Sequence, residues 1–166
     1  PGPDGDGSAS VLPADSLAAA ARAIVASPEL STKVALARAT AKAWFGGRLS
    51  LGHRSDVTPM PERPGRPDKL ALIELNAVDM TWDLVGRFVH APVPRSFFDN
   101  WVQVGLEEAK HFDLLRRRLA DLGAAYGDLP AHDGLWQAAQ ATGRSLIARI
   151  AIVPLVLEAR GLDVSP

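Results

Sequence analysis

The chain predicts an all-α helical bundle, and three observations carry that prediction. Apolar residues recur every three or four positions through long segments, which is the spacing of one helix face. No stretch alternates with the two-residue period of a strand, and no internal repeat is visible. Gly, Pro and small polar residues cluster at the segment boundaries, where helices start and stop.

Taken in order, residues 1–12 are rich in Gly, Pro, Asp and Ser and read as a disordered lead-in. Asp15 is positioned to cap an Ala-rich helix reaching about Ser27, with Leu17, Ala20, Ala21 and Ile24 on one face. Pro28 and Glu29 interrupt it. Ser31 or Thr32 can cap a second helix, Lys33 to Phe45, which Gly46 and Gly47 end, so residues 13–47 predict a helical hairpin. Residues 48–67 carry Pro59, Pro61, Pro64 and Pro67 with Gly52 and Gly65, the composition of an extended connector that wraps over the surface.

Residues 68–166 predict the bundle proper, with three longer helices. The first spans about Asp68 to His90, with a stripe of Leu70, Glu74, Ala77, Thr81, Leu84 and Phe88. The second begins at Pro94, a favoured first-turn residue, and runs to about Leu122 before Gly123. The short loop Ala91–Val93 forces the two into antiparallel contact. Asp133 can cap a third helix, Gly134 to Arg160, which Pro154 should kink.

Bulk composition narrows the function classes. The 166 residues are 47% hydrophobic with a formal net charge of −1, which offers no broad electrostatic attraction for nucleic acid or membrane. Absence of cysteine excludes disulfides, thiolate metal sites and Cys nucleophiles. The most apolar run, Leu146–Leu157, has twelve residues and includes Arg149 and Pro154, too short to span a bilayer. No secretory signal pattern stands at the N-terminus, so a cytoplasmic location is the expectation.

The chemistry concentrates in Glu108-Ala109-Lys110-His111. Trp101, Val104, Glu108, His111 and Leu115 form one helical stripe, which puts a carboxylate and an imidazole into an otherwise apolar seam. A buried carboxylate costs several kcal/mol unless compensated. A metal ion, an ion pair with a nearby Arg, or half-exposure of both groups would each meet that cost. Glu74 lies 16 residues before His90 and Glu108 lies 14 after Pro94. These offsets correspond to depths of roughly 24 and 21 Å from the shared turn, so antiparallel packing predicts the two carboxylates at nearly one level. Glu158 closes the apolar run and continues the face of Ile147, Ala151 and Pro154. Carboxylates and imidazole together suit iron, and E-x-x-H inside a bundle is the di-iron carboxylate arrangement.

The other marked residues have plainer readings. Glu107, Lys110, Arg116, Arg117 and Arg118 read as a solvated face, His53, His90 and His132 as loop residues, and Trp44, Trp82, Trp101 and Trp136 as core anchors.

The blocks IELNAVDM (Ile73–Met80), PRSFFDNWVQVGLEEAKHFDLLRRRL (Pro94–Leu119), AYGDLPAHDGLW (Ala125–Trp136) and ARIAIVPLVLEARGLDVSP (Ala148–Pro166), with KVALARATAKAW (Lys33–Trp44) more weakly, resemble a bacterial ferritin-like family of unknown function. The resemblance implies that Glu74, Glu108, His111 and Glu158 match the first metal ligands of a ferritin-like four-helix bundle. Two departures stand out. Leu72 occupies a position where relatives often carry His, and the family pattern continues past the equivalent of Pro166 into a fourth helix with a second E-x-x-H. The chain therefore reads as a truncated, incomplete bundle.

Two function classes result. One is a di-iron, or manganese/iron, oxidase or hydroxylase scaffold with Glu108 as bridging ligand, His111 as terminal ligand, and Glu74 and Glu158 as further carboxylates. Its substrate, a small molecule or a nucleoside, is left open by the sequence, the nucleoside entering through likeness to a tRNA-modifying hydroxylase, by fold analogy alone. The other is a non-catalytic interaction module with an incomplete site, whose exposed apolar face closes by homodimerisation. Iron storage is a third, weaker expectation.

Overall fold

The computed structural model describes residues 14–52, 60–62, 64–65, 73–125, 128 and 134–153. Among these residues the chain is all-helical: α1 (Leu17–Ala26), α2 (Leu30–Phe45), α3 (Ile73–Arg87), α4 (Arg95–Asp121), α5 (Gly134–Ala141) and α6 (Leu146–Ile150). A lone parallel bridge joins Ser16 to Ser50. The lead-in and the residues from Pro154 onward lie outside the described residues.

The hairpin α1–α2 and the pair α3–α4 share one hydrophobic core. α1 lies on α3, α2 lies on α4, and each pair is packed within itself, which closes a four-helix arrangement. Leu17, Ala21, Ile24, Val34, Ala37, Ala41 and Trp44 from the hairpin meet Leu75, Val78, Trp82, Val85, Phe98, Val102, Ala109 and Phe112 from the long pair. Small residues on α1 and α2 let the helices approach closely. At Gly105 of α4 the approach is tighter still, because a Cβ there would sit 2.9 Å from the Trp82 indole.

Local caps depart from expectation in two places. Ser16 rather than Asp15 caps α1, its hydroxyl accepting from the Ala19 N–H at 3.3 Å. α2 begins at Leu30, before Ser31 and Thr32, and its N-cap Glu29 makes no side-chain cap bond. The long α4 keeps to the expected limits, from N-cap Pro94 to a turn at Gly123, whose φ of 74° suits glycine.

Where it is described, the segment after α2 lies against α1 and α5. Ser50 and Leu51 carbonyls accept from the Leu17 and Ala18 N–H groups at 2.8 and 3.2 Å. Met60 is buried, and the Glu62 carbonyl accepts from Trp136 Nε1 at 3.2 Å and Gln140 Nε2 at 2.9 Å.

The third long helix is not continuous. It breaks between Ala141 and Leu146, where the Thr142 hydroxyl donates to the Ala138 carbonyl at 2.8 Å and Ser145 caps α6 by accepting from the Ala148 N–H. Thr-Gly-Arg-Ser at 142–145 is a stop and then a start: glycine ends one helix and serine opens the next. A wider π-type turn succeeds α6 over 151–153, just before Pro154. The expected kink at Pro154 and the cap at Asp133 fall outside the described residues.

Candidate functional site

The stripes read from α3 and α4 meet around one cavity of about 280 Å³. Ala77, Thr81 and Leu84 of α3 face it together with Trp101, Val104 and Glu108 of α4. Met80 adds to the wall, and Arg149 and Val153 close one side. Three- and four-residue spacing on both helices puts these side chains in one space.

This cavity face is not the most buried line of α4. Phe98, Val102, Gly105, Ala109 and Phe112 are fully covered, and they run beside the stripe that holds Glu108. The inward placement expected for Glu108 and His111 therefore holds only in part. The Glu108 side chain lines the cavity and is 28% exposed, whereas His111, one turn on, is 58% exposed. Leu115, expected to continue the stripe, is also exposed. The reason is that α4 has two apolar faces: one packs fully on α2 and α3, while the other borders the cavity.

Glu108 and His111 stand together, with Oε2 3.7 Å from Nδ1. A hard oxygen donor and an imidazole on adjacent turns have the chemistry of a first-row transition-metal site. Among the described residues no group of three or more His, Cys, Asp or Glu side chains gathers into a metal-holding cluster. Glu74 falls in the first turn of α3, one turn before Ala77, and its side chain lies outside the described residues, as does Glu158. The donor types thus fit a metal, and two of the four expected residues have described side chains. His90 is exposed, and His53 and His132 lie outside the described residues.

Sequence reasoning missed a line of buried charge. Asn76, Asp79 and Asp83 occupy one side of α3, all with no exposure. Lys33 of α2, equally buried, donates to Asp79 Oδ1 at 2.5 Å and to the carbonyls of Ile24 and Val25 at 2.9 and 3.0 Å. One ammonium group thereby neutralises a core carboxylate and satisfies the last turn of α1. Asp83 accepts from Arg87 and, at 2.7 Å, from Arg149 Nη1. Arg149 also donates from Nε to Thr142 Oγ1 at 2.9 Å and from Nη2 to the Ala139 carbonyl at 2.5 Å. Burial pushes the Arg149 pKa down, and the Asp83 carboxylate opposes that shift. The signal was present in the i, i+3, i+7 spacing of Asn76, Asp79 and Asp83 on a helix with apolar neighbours.

A second carboxylate holds the basic run in place. Asp113 accepts from Arg38 at 3.1 Å, Arg116 at 3.1 Å and Arg117 at 2.9 Å. The Arg116 hydrogen bond, with help from Arg38 and Arg117, holds the Asp113 carboxyl below its usual range against the opposing effect of burial. Arg116, Arg117 and Arg118 are exposed as expected, and the first two are tied to α4 through this carboxylate.

No helix among the described residues is long and apolar enough to cross a membrane. Residues 68–166, from the approach to α3 through the cavity walls and beyond, match the model of a family described as "Protein of unknown function (DUF455)". An uncharacterized protein of Haemophilus influenzae (strain ATCC 51907 / DSM 11121 / KW20 / Rd) is 43% identical over 102 residues, covering 58% of this chain. The chain spans 35% of the length of that relative. No solved structure matches.

Proposed function

We propose that this chain, which belongs to the DUF455 family of proteins of unknown function, is a ferritin-like metal-binding scaffold for oxidation or hydroxylation of a small molecule. The observation that carries this reading is Glu108 at the wall of a largely apolar cavity, with His111 3.7 Å away on the next turn. Glu108 as a bridging carboxylate and His111 as a terminal imidazole would hold the metal, with Glu74 and Glu158 as further carboxylate ligands. Iron, as a pair or mixed with manganese, would supply the redox chemistry for dioxygen if these residues held it. A two-metal site of this type takes a second E-x-x-H beside the first; Glu108 and His111 are the one such step within these 166 residues.

The other residues have supporting tasks. Leu84, Trp101 and Val104 keep water from the cavity, and the Thr81 hydroxyl offers one polar contact for orienting a guest. These walls suit hydrocarbon better than the ribose of a nucleoside. The test is anaerobic calorimetric titration with Fe(II). Wild-type protein should give a saturable heat that Glu108→Ala and His111→Ala each reduce at least tenfold in affinity, with helix content unchanged. No heat, or heat indifferent to both substitutions, refutes the reading.

A second reading, a helical interaction module that closes by dimerisation, draws on a different observation. Leu114, Leu115, Leu122, Ile147 and Ile152 are exposed at 41–82%. Light scattering separates the two: a dimer that dissociates on Ile147→Lys favours association, and a strict monomer opposes it.

A further inference from the structure

Charges around the cavity cancel. Among the described residues, Asp83 and Glu108 are anionic, Arg87 and Arg149 cationic, and all four stand on its wall or one ion pair behind it. Arg149 is 1% exposed, and its three nitrogens donate to Thr142, Asp83 and the Ala139 carbonyl. It therefore gives an entering molecule neither an accessible donor nor an uncompensated charge. Glu108, 28% exposed, is partly solvated at the rim. An ion moved from water into this space gives up its hydration and meets no opposite charge left over. An uncharged molecule bears no such cost.

The same walls are poor hosts for water. At roughly 30 Å³ per molecule, a cavity of about 280 Å³ would take about nine waters, and each buried water needs two to four polar partners. Besides Arg149, Thr81 and Glu108 are the polar residues among the described lining, and the other six are apolar, Trp101 and Leu84 prominent among them. Displacing weakly bonded water by an apolar body gains affinity. Size follows by proportion: an apolar cavity of roughly 150 Å³ holds benzene, so about 280 Å³ corresponds to roughly eleven carbon atoms.

We propose that this cavity receives a small uncharged guest of roughly eleven carbon atoms, its body between Ala77 and Leu84 of α3 and Trp101 and Val104 of α4, and that it excludes ionised molecules of either sign. The guest names a substrate class for the metal-dependent reading above, and the inference rests on that reading only in making the guest a substrate. Binding itself requires no metal.

The test uses the whole chain, freed of metal by chelation, and three probes on one carbon skeleton: naphthylmethanol, naphthylmethylammonium and naphthoate. By calorimetric titration the alcohol should bind at least tenfold more tightly than either ion. Its binding should carry a negative heat-capacity change, the mark of buried apolar surface. Val104→Phe, and independently Ala77→Phe on the facing helix, should abolish binding of the alcohol while the thermal midpoint stays near that of wild type. The comparison of the three probes on wild-type protein decides even where a filling variant does not fold. An ion that binds as tightly as the alcohol, alcohol binding that survives both filling variants, or no binding of the alcohol overturns the proposal. Fe(II) heat without alcohol binding sinks this inference alone, and alcohol binding without Fe(II) heat sinks the metal reading alone.

Discussion

Replacing Lys33 by methionine keeps the length of the side chain and removes its charge from a site with no solvent exposure. Three bonds disappear: those to Asp79, Ile24 and Val25. The two carbonyls keep other donors, since Ser27 N–H reaches Ile24 at 3.3 Å and Gly65 N–H reaches Val25 at 2.8 Å. The loss therefore falls mainly on Asp79, a carboxylate deprived of its ammonium partner. Removing one member of a buried ion pair costs about 3–5 kcal/mol, a large part of the roughly 5–15 kcal/mol that holds a domain folded. At about 2–4 °C per kcal/mol for a chain of this size, the thermal midpoint should fall by roughly 6–20 °C. Urea denaturation monitored by tryptophan fluorescence measures the difference directly. Replacing both partners, Lys33→Met with Asp79→Leu, should recover most of the loss, because an apolar pair leaves no stranded charge. A single Lys33→Met variant within about 1 kcal/mol of wild type would refute the reasoning.

The same geometry sets the outcome of other perturbations. Gly105→Ala places a methyl 2.9–3.1 Å from the Trp82 indole, and the overpacking should cost about 1–3 kcal/mol by denaturant midpoint. Ser16→Ala removes the hydroxyl that caps α1 and should cost about 0.5–2 kcal/mol, whereas Asp15→Ala should cost less than half as much. The folded-state pKa of Asp113 is depressed, so its stabilisation is present above the unfolded carboxylate value of about 3.9 and fades as pH falls through the folded one. Asp113→Asn should flatten the acid limb of the stability curve below about pH 5, measured by thermal midpoint against pH.

Punctuation residues were the most legible part of the sequence. Pro94 and Gly123 bracket α4, and Gly46–Gly47 end α2, because backbone chemistry at these positions is local. The break at 142–145 was equally local, yet the apolar run around it masks the Gly–Ser signal. Face assignment on α4 was harder. Phe98, Val102 and Phe112 form one apolar line and Trp101, Val104 and Leu115 an adjacent one, so periodicity alone does not say which is covered more completely. The stripe containing Glu108 was found, and its meeting with Ala77, Thr81 and Leu84 agrees with the antiparallel register read from the short turn. Buried charges were illegible for another reason. Lys33 and Asp79 are 46 positions apart, and Arg149 and Asp83 are 66 apart, so each looks like a surface residue until the fold supplies its partner.

The central claim is that the Glu108–His111 step holds a cation at the mouth of the cavity. Proton NMR of the four histidine rings during addition of Mn(II) tests it most directly, because the paramagnetic ion broadens only nearby resonances. His111 signals should broaden at substoichiometric Mn(II) while those of the exposed His90 stay sharp, and Glu108→Ala should remove the difference. Uniform broadening of His111 and His90, or none at either, would contradict the account.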